Sequence, residues 1–270
     1  MESGTRIKYI IAAVAFIILL VAIYFLFIFQ KSPSKPKSSQ SAQEVKELTE
    51  VELAKRPYVT LTPTADGAEI IISIENMAFF DRIEYELTYM ADNPSEMAQK
   101  IQRGSTGSDV NTHDQKYKKS MLLGTASRGV RSPDTGITDG KLTVHMFRGE
   151  TEFLSETNWN LTQIGATAAA LEDSGGNIKL ELSALGKNYW VILTQTIGLP
   201  LSLPFDLQKV KLPIWGFFSV APEFSKKATL ALKETESSSK LYMYTALDSR
   251  WQLLSTPQVP SFGTFVVVAP

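Results

Sequence analysis

Few side chains in this chain have the capacity for chemistry, and they are scattered. The 270 residues include no cysteine and two histidines. Without cysteine there are no disulfides, thiolate zinc sites, iron–sulfur clusters or cysteine nucleophiles. His113 lies in Asp109-Val110-Asn111-Thr112-His113-Asp114, where alternating oxygen-bearing residues suggest a calcium loop. An EF-hand needs Gly at its sixth position and Glu at its twelfth, and Asp114 and Ser120 stand there instead. His145 falls in Leu142–Phe147 at the opposite parity to Val144 and Met146, as expected of a satisfied or solvated histidine on a strand.

Three further constellations have partial matches. Gly124-Thr-Ala-Ser127-Arg-Gly129 approaches a nucleophile elbow but has one residue too many before the serine. Ser237-Ser-Ser-Lys240 has Ser-x-x-Lys spacing within residues that read as a turn, not a helix start. Glu84 and Glu86 share one strand face about 7 Å apart, a spacing at which paired carboxylates serve glycosidases. Alternating charge on a wet strand face explains the pair without chemistry. Asn160-Leu-Thr162 is a glycosylation sequon, and no phosphate-binding glycine loop is present. No catalytic, cofactor-binding or metal-ligating residue is therefore assigned, no cofactor is expected, and the chain is read as a non-enzyme.

The elements around these residues are more informative. Tyr9 to Phe29 is an unbroken apolar run without charge, Gly or Pro, flanked by Lys8 and Lys31. About 20 helical residues span the hydrocarbon core of a bilayer, so residues 9–29 are expected to be a transmembrane helix behind a short tail, 1–8. No A-x-A-like cleavage site follows, which favours an uncleaved signal anchor. Flanking lysine and arginine are balanced, with Arg6 and Lys8 on one side and Lys31, Lys35 and Lys37 on the other. Long domains translocate largely regardless of such charge, and the expected topology is N-in, C-out, single-pass in the cell membrane. Residues 30–56 begin with the Ser/Pro/Lys tether KSPSKPKSSQSAQ. Capping-box spacing at Ser41–Glu44, followed by Val45, Leu48 and Val51, predicts a short helix over about 41–55.

From Pro57 the pattern is β. Tyr58–Thr62 and Glu69–Ile74 flank Asp66-Gly67, a hairpin signal. Ile83, Tyr85, Leu87 and Tyr89 alternate with polar residues. Further strands are predicted at 117–123, 141–147 and 152–161. One helix is predicted after Asn93-Pro94-Ser95-Glu96, with Met97 and Ile101 on one face and Gly104 as its stop. Stretches 104–116 and 125–140 read as long polar loops, the expected place of partner contact. A second series of strands runs from Ala166 to Ala269, interrupted around Pro200, Pro204 and Pro213. The fold class is mostly β: two tandem β-sandwich modules, Ig-like or ZU5-like, over 57–164 and 165–270. A single larger β domain is the alternative.

The last fifty residues carry a resemblance. Phe224-Ser-Lys-Lys-Ala-Thr-Leu-Ala-Leu-Lys233, Tyr242-Met-Tyr244 followed by Trp251-Gln-Leu-Leu254, and Ser261-Phe-Gly-Thr-Phe265 resemble the closing strands of ZU5-like β modules of bacterial surface proteins. Some relatives cut themselves at His-Phe-Ser. Ser261-Phe262-Gly263 lacks both the histidine and the serine, so the resemblance implies no self-cleavage here. RPYVTLTPTADG, IEYELTYMAD and LLGTASRGVRSPDTGITDGKLTV are more loosely similar to anchored envelope proteins of candidate-phyla (Patescibacteria) bacteria. Ala126 and Arg131 stand where those relatives carry a cysteine pair.

The formal net charge of -1 disfavours a nucleic-acid partner, which wants a strongly basic surface. The expected partners are the lipid bilayer through residues 9–29 and a surface glycan or envelope protein. The expected role is binding, adhesion or structure in the envelope. The alternatives are an accessory subunit of a secretion or division complex, or an exported carbohydrate or peptide hydrolase.

Overall fold

The computed structural model describes residues 44–233, 238–246 and 248–270. The expected membrane helix 9–29, the tail before it, most of the tether and Ser237 lie outside these residues. Among the described residues, no helix is long and apolar enough to cross a membrane.

The described chain is mostly β. Its first strands are β1 (Glu44–Glu47), β2 (Tyr58–Pro63), β3 (Glu69–Glu75), β4 (Arg82–Asn93), β5 (Glu96–Val110) and β6 (Lys116–Leu122). The small hairpin β7 (Gly124–Ser127) and β8 (Val130–Pro133) precedes the long strands β9 (Thr138–Arg148) and β10 (Thr151–Ile164). β11 (Ala169–Glu172), β12 (Ile178–Leu182), β13 (Tyr189–Thr196), β14 (Val210–Phe218) and β15 (Ala228–Leu232) follow. β16 (Lys240–Thr245), β17 (Arg250–Leu254), β18 (Gln258–Val259) and β19 (Gly263–Val268) complete the series.

One 10-stranded sheet organises the rest, in the order β17-β16-β19-β14-β13-β10-β9-β4-β5, with β1 added in parallel along the start of β10. A three-stranded sheet, β2-β3-β6, and a four-stranded sheet, β11-β12-β15-β18, pack against it. Because side chains alternate along a strand, one strand can feed two cores. β13 does so: Ile192 joins the core under β2-β3-β6, whereas Val191 and Leu193 join the core under β11-β12-β15-β18. The two small sheets therefore cover opposite faces of the large one. The large sheet runs across residue 164, since β10 pairs with β13 from Trp159–Thr194 to Ile164–Tyr189.

The first core is built from alternating residues of β4 (Ile83, Tyr85, Leu87, Tyr89), β9 (Leu142, Val144, Met146) and the Val59/Leu61 and Ile70/Ile72/Ile74 faces of the β2–β3 hairpin. Trp159, 1% exposed, packs its indole over the backbone of Gly140, where a Cβ would come within 2.3 Å of the ring. The second core centres on Phe217, Phe265, Met243, Leu180 and Leu230. A third cluster around Leu199, Ile214, Val266 and Val268 covers the remaining face of β14 and β19 with the irregular segment before β14.

Two helix predictions are corrected. Residues 44–47 are extended and pair with Thr151–Leu154, followed by two three-residue 3-10 turns, Leu48–Glu50 and Leu53–Lys55. The buried Leu48 and Val51 that suggested helical spacing are held by those turns, and the buried guanidinium of Arg56 donates to Val51 and Thr49 carbonyls at 2.8 and 3.1 Å. Residues 96–110 are strand, not helix, because β5 pairs along nearly the whole of β4. Asn93-Pro94-Ser95 is the hairpin turn, with the Asn93 side chain accepting from the Ser95 N–H at 3.0 Å. Side-chain capping and a proline are common to helix starts and turns, and cross-strand pairing decides between them. The polar stretches predicted as loops are correspondingly shorter: β5 extends to Val110, and 125–140 contains the β7–β8 hairpin. Pro213 sits at the register shift between Lys211 and Trp215 in the β14–β19 ladder, consistent with its missing N–H.

Candidate functional site

Alternation also positions a large concavity, a groove of about 940 Å³. Val59 and Leu61 turn into the first core, so Tyr58, Thr60 and Thr62 must face the other way. Ile71, Ser73 and Glu75 do the same on β3, and Lys116 and Lys118 on β6. These residues form the floor. The facing wall comes from the second half: Leu201, Phe218, Val220, Tyr244 and Phe262, with Ala246 and Ser249 at the β16–β17 turn. Leu201 and Val220 are exposed, whereas Phe218, Tyr244 and Phe262 are buried behind them.

Several contacts fix the two walls. The Tyr58 hydroxyl meets Thr264 Oγ1 at 2.7 Å, and its ring packs edge-on against Tyr244. Burial drives the Tyr58 phenol well above its usual pKa, so it stays neutral. Gly67, in the β2–β3 turn at φ +71°, lies so close to Trp190 that a Cβ would meet the indole at 2.4 Å. Gly198 approaches the carbonyls of Arg56 and Pro57 at the other end of β2. Asn76, with a left-handed φ of 59°, donates to the Ala54 and Arg56 carbonyls at 3.0 Å each and closes that end of the groove.

The groove's charges are partly neutralised. Lys116 Nζ lies 2.6 Å from Glu75. Asp114 accepts from the Asn111 amide, whose own oxygen accepts from the His113 N–H. That polar turn is what the sequence offered as a calcium loop. Asp109, its first acidic residue, instead accepts from Tyr117 and Lys119, which hold its carboxyl below the usual range. Among the described residues, no group of three or more His, Asp or Glu side chains is placed to hold a metal.

Of the other singled-out residues, Glu84 and His145 are register partners across β4 and β9, and the rest lie apart. His145 Nδ1 lies 2.6 Å from Glu152 on the outer face of the large sheet. Glu84 pairs with Arg82 at 2.7 Å on that face, and Glu86 is exposed there. Ser127 is exposed on β7 near the tip of its hairpin, and Asn160 is exposed on β10. Ala126 and Arg131 are register partners across β7 and β8. Ser261 is buried, 2% exposed, and donates to the Phe262 carbonyl. Sequence reasoning missed the groove, although the Tyr58/Thr60/Thr62 parity opposite Val59/Leu61 was its visible trace. No family model, curated protein or solved structure matches this chain.

Proposed function

We propose that this chain is a single-pass, membrane-anchored extracytoplasmic protein, held N-in and C-out through residues 9–29. In this reading its β body consists of two sandwich modules fused through a shared sheet, ZU5-like in the closing strands, and serves to bind an envelope partner. The groove supports the binding role, because both halves contribute walls to it and one is hydroxyl-rich while the other is apolar. Sites of this kind combine apolar area with a few placed polar groups. In the test, full-length protein in detergent micelles is mixed with isolated envelope fractions, alongside a Val220→Glu variant that charges the groove rim. Retention of the parent and loss with the variant are expected. Failure of the parent to bind overturns the reading. Orientation is tested by protease treatment of intact cells carrying a C-terminal tag, where loss of the tag before lysis is expected.

A second reading, accessory subunit of an envelope assembly, is favoured by β5. This 15-residue strand ends the large sheet and, among the described residues, is paired on one side only, by β4. Such an edge can accept a partner's strand. Stoichiometric co-purification of a second chain after solubilisation would promote this reading.

A further inference from the structure

We propose that the groove's ligand is an uncharged oligosaccharide lying across the β2-β3-β6 floor; this rests on the binding role above and names its chemistry. Two rows cross the floor in register, Thr60–Ser73–Lys118 and Tyr58–Glu75–Lys116, with Thr62–Ile71 beside them. The hydroxyls of Thr60, Thr62 and Ser73 have no side-chain hydrogen bond within the described residues. Ser73 is the most telling: the residue is 9% exposed and its Oγ is buried without a partner. An orphaned buried hydroxyl carries an unrecovered desolvation cost, which a ligand hydroxyl would offset.

The geometry favours a sugar over a peptide. An extended peptide docks chiefly through main-chain pairing at a sheet edge. Here the centre of the floor is a sheet face: β3 lies between β2 and β6, so its N–H and C=O groups are committed to the two ladders. The floor presents side-chain hydroxyls, the Glu75–Lys116 ion pair and the Lys118 ammonium. Sugar hydroxyls both donate and accept, as Ser and Thr do, and Lys118 can donate to ring or hydroxyl oxygens. Lys118 has no ion pair among the described residues. Charge does not call for an anion or a cation: Lys116 pairs with Glu75, and the whole lining holds Glu75 and Asp114 against Lys116 and Lys118. On the facing wall, the exposed Leu201 and Val220 offer aliphatic surface to the C–H face of a sugar ring. The volume of about 940 Å³ is near the top of the range of about 300–1,000 Å³ for small-molecule sites, room for a short chain of sugars.

The test applies full-length protein in detergent micelles to an array of neutral, N-acetylated and uronate oligosaccharides and, in parallel, to extended peptides. Binding to uncharged saccharides is expected. Ser73→Ala and Lys118→Met should each weaken it by about tenfold or more, the loss of one buried or charge-assisted hydrogen bond. Leu201→Ser, at an exposed position, serves as a third variant should either of the others misfold, as judged by circular dichroism. Binding confined to uronates or peptides, or saccharide binding indifferent to the variants, overturns the proposal. If the array is silent while envelope fractions retain the protein, the sugar assignment falls and the binding role stands. If neither binds, both fall.

Discussion

The two cores use one sheet in different ways, and the difference explains their sequence patterns. In the first half the large sheet is buried on one face. β4 accordingly alternates, with Ile83, Tyr85, Leu87, Tyr89 and Ala91 inside and Arg82, Glu84, Glu86 and Thr88 outside. In the second half both faces are covered, by the second core on one side and the third cluster on the other. There β14 is buried continuously from Ile214 to Phe218 and β19 from Gly263 to Val266, so alternation gives way to apolar runs. β13 is the junction, sending Ile192 one way and Val191 and Leu193 the other. The groove lies where the covering of one face passes from β2-β3-β6 to the elements of the second half.

The largest expected effects come from emptying either core. Trp159→Ala and Phe217→Ala should each cost about 3–5 kcal/mol, the range for deleting a buried aromatic. If β13 couples the halves, each variant should lower the same denaturant midpoint whether the first or the second half is probed. Gly67→Ala comes next. It places a Cβ inside the Trp190 contact at a positive φ and should cost about 1–3 kcal/mol. A changed near-ultraviolet signal from Trp190 would report the shifted turn. Tyr58→Phe removes the bond to Thr264, a residue with no exposed surface, and should cost about 1–2 kcal/mol in urea titrations.

A smaller, local effect belongs to the second half alone. Burial of Asp173 opposes its ionisation, but the N–H groups of Gly175, Asn177 and Ile178 and the Asn177 amide prevail and hold its pKa below the usual range. A depressed carboxyl contributes fully above its unfolded pKa of about 4 and loses that contribution as pH falls through the folded value. Asp173→Ala should therefore cost about 1 kcal/mol at neutral pH, and the gap from the parent should narrow below about pH 4. Smallest of all is the pair Ala126→Cys with Arg131→Cys. Opposed residues in an antiparallel ladder have Cα atoms about 4.5–5.5 Å apart, within disulfide reach, and both positions are exposed. Loss of free thiols on oxidation, with little change in stability, would confirm the hairpin register.

The same contrast governs what could be read from sequence. One-sided strands were plain: β2, β3 and β4 follow from the Asp66-Gly67 turn and the Tyr85/Leu87/Tyr89 alternation. The two predicted helices failed where local signals were ambiguous, Asn93-Pro94-Ser95 serving a turn and Leu48/Val51 serving 3-10 turns. Their strands depend on distant partners, β4 for one and β10 for the other. The groove was invisible because its walls come from segments as far apart as Thr60 and Phe262, and nothing local marks Ser73 as unpartnered.

The most direct test of the shared-strand account is native-state amide hydrogen exchange on the full chain, for the parent and for Ile192→Ala and Leu193→Ala. These neighbours on β13 face opposite cores. The expected result is that either substitution lowers the protection of the slowest amides in both halves, β4 and β9 as well as β12 and β15, by the same free energy. If Ile192→Ala weakens only the first half and Leu193→Ala only the second, the halves are independent and the account is wrong.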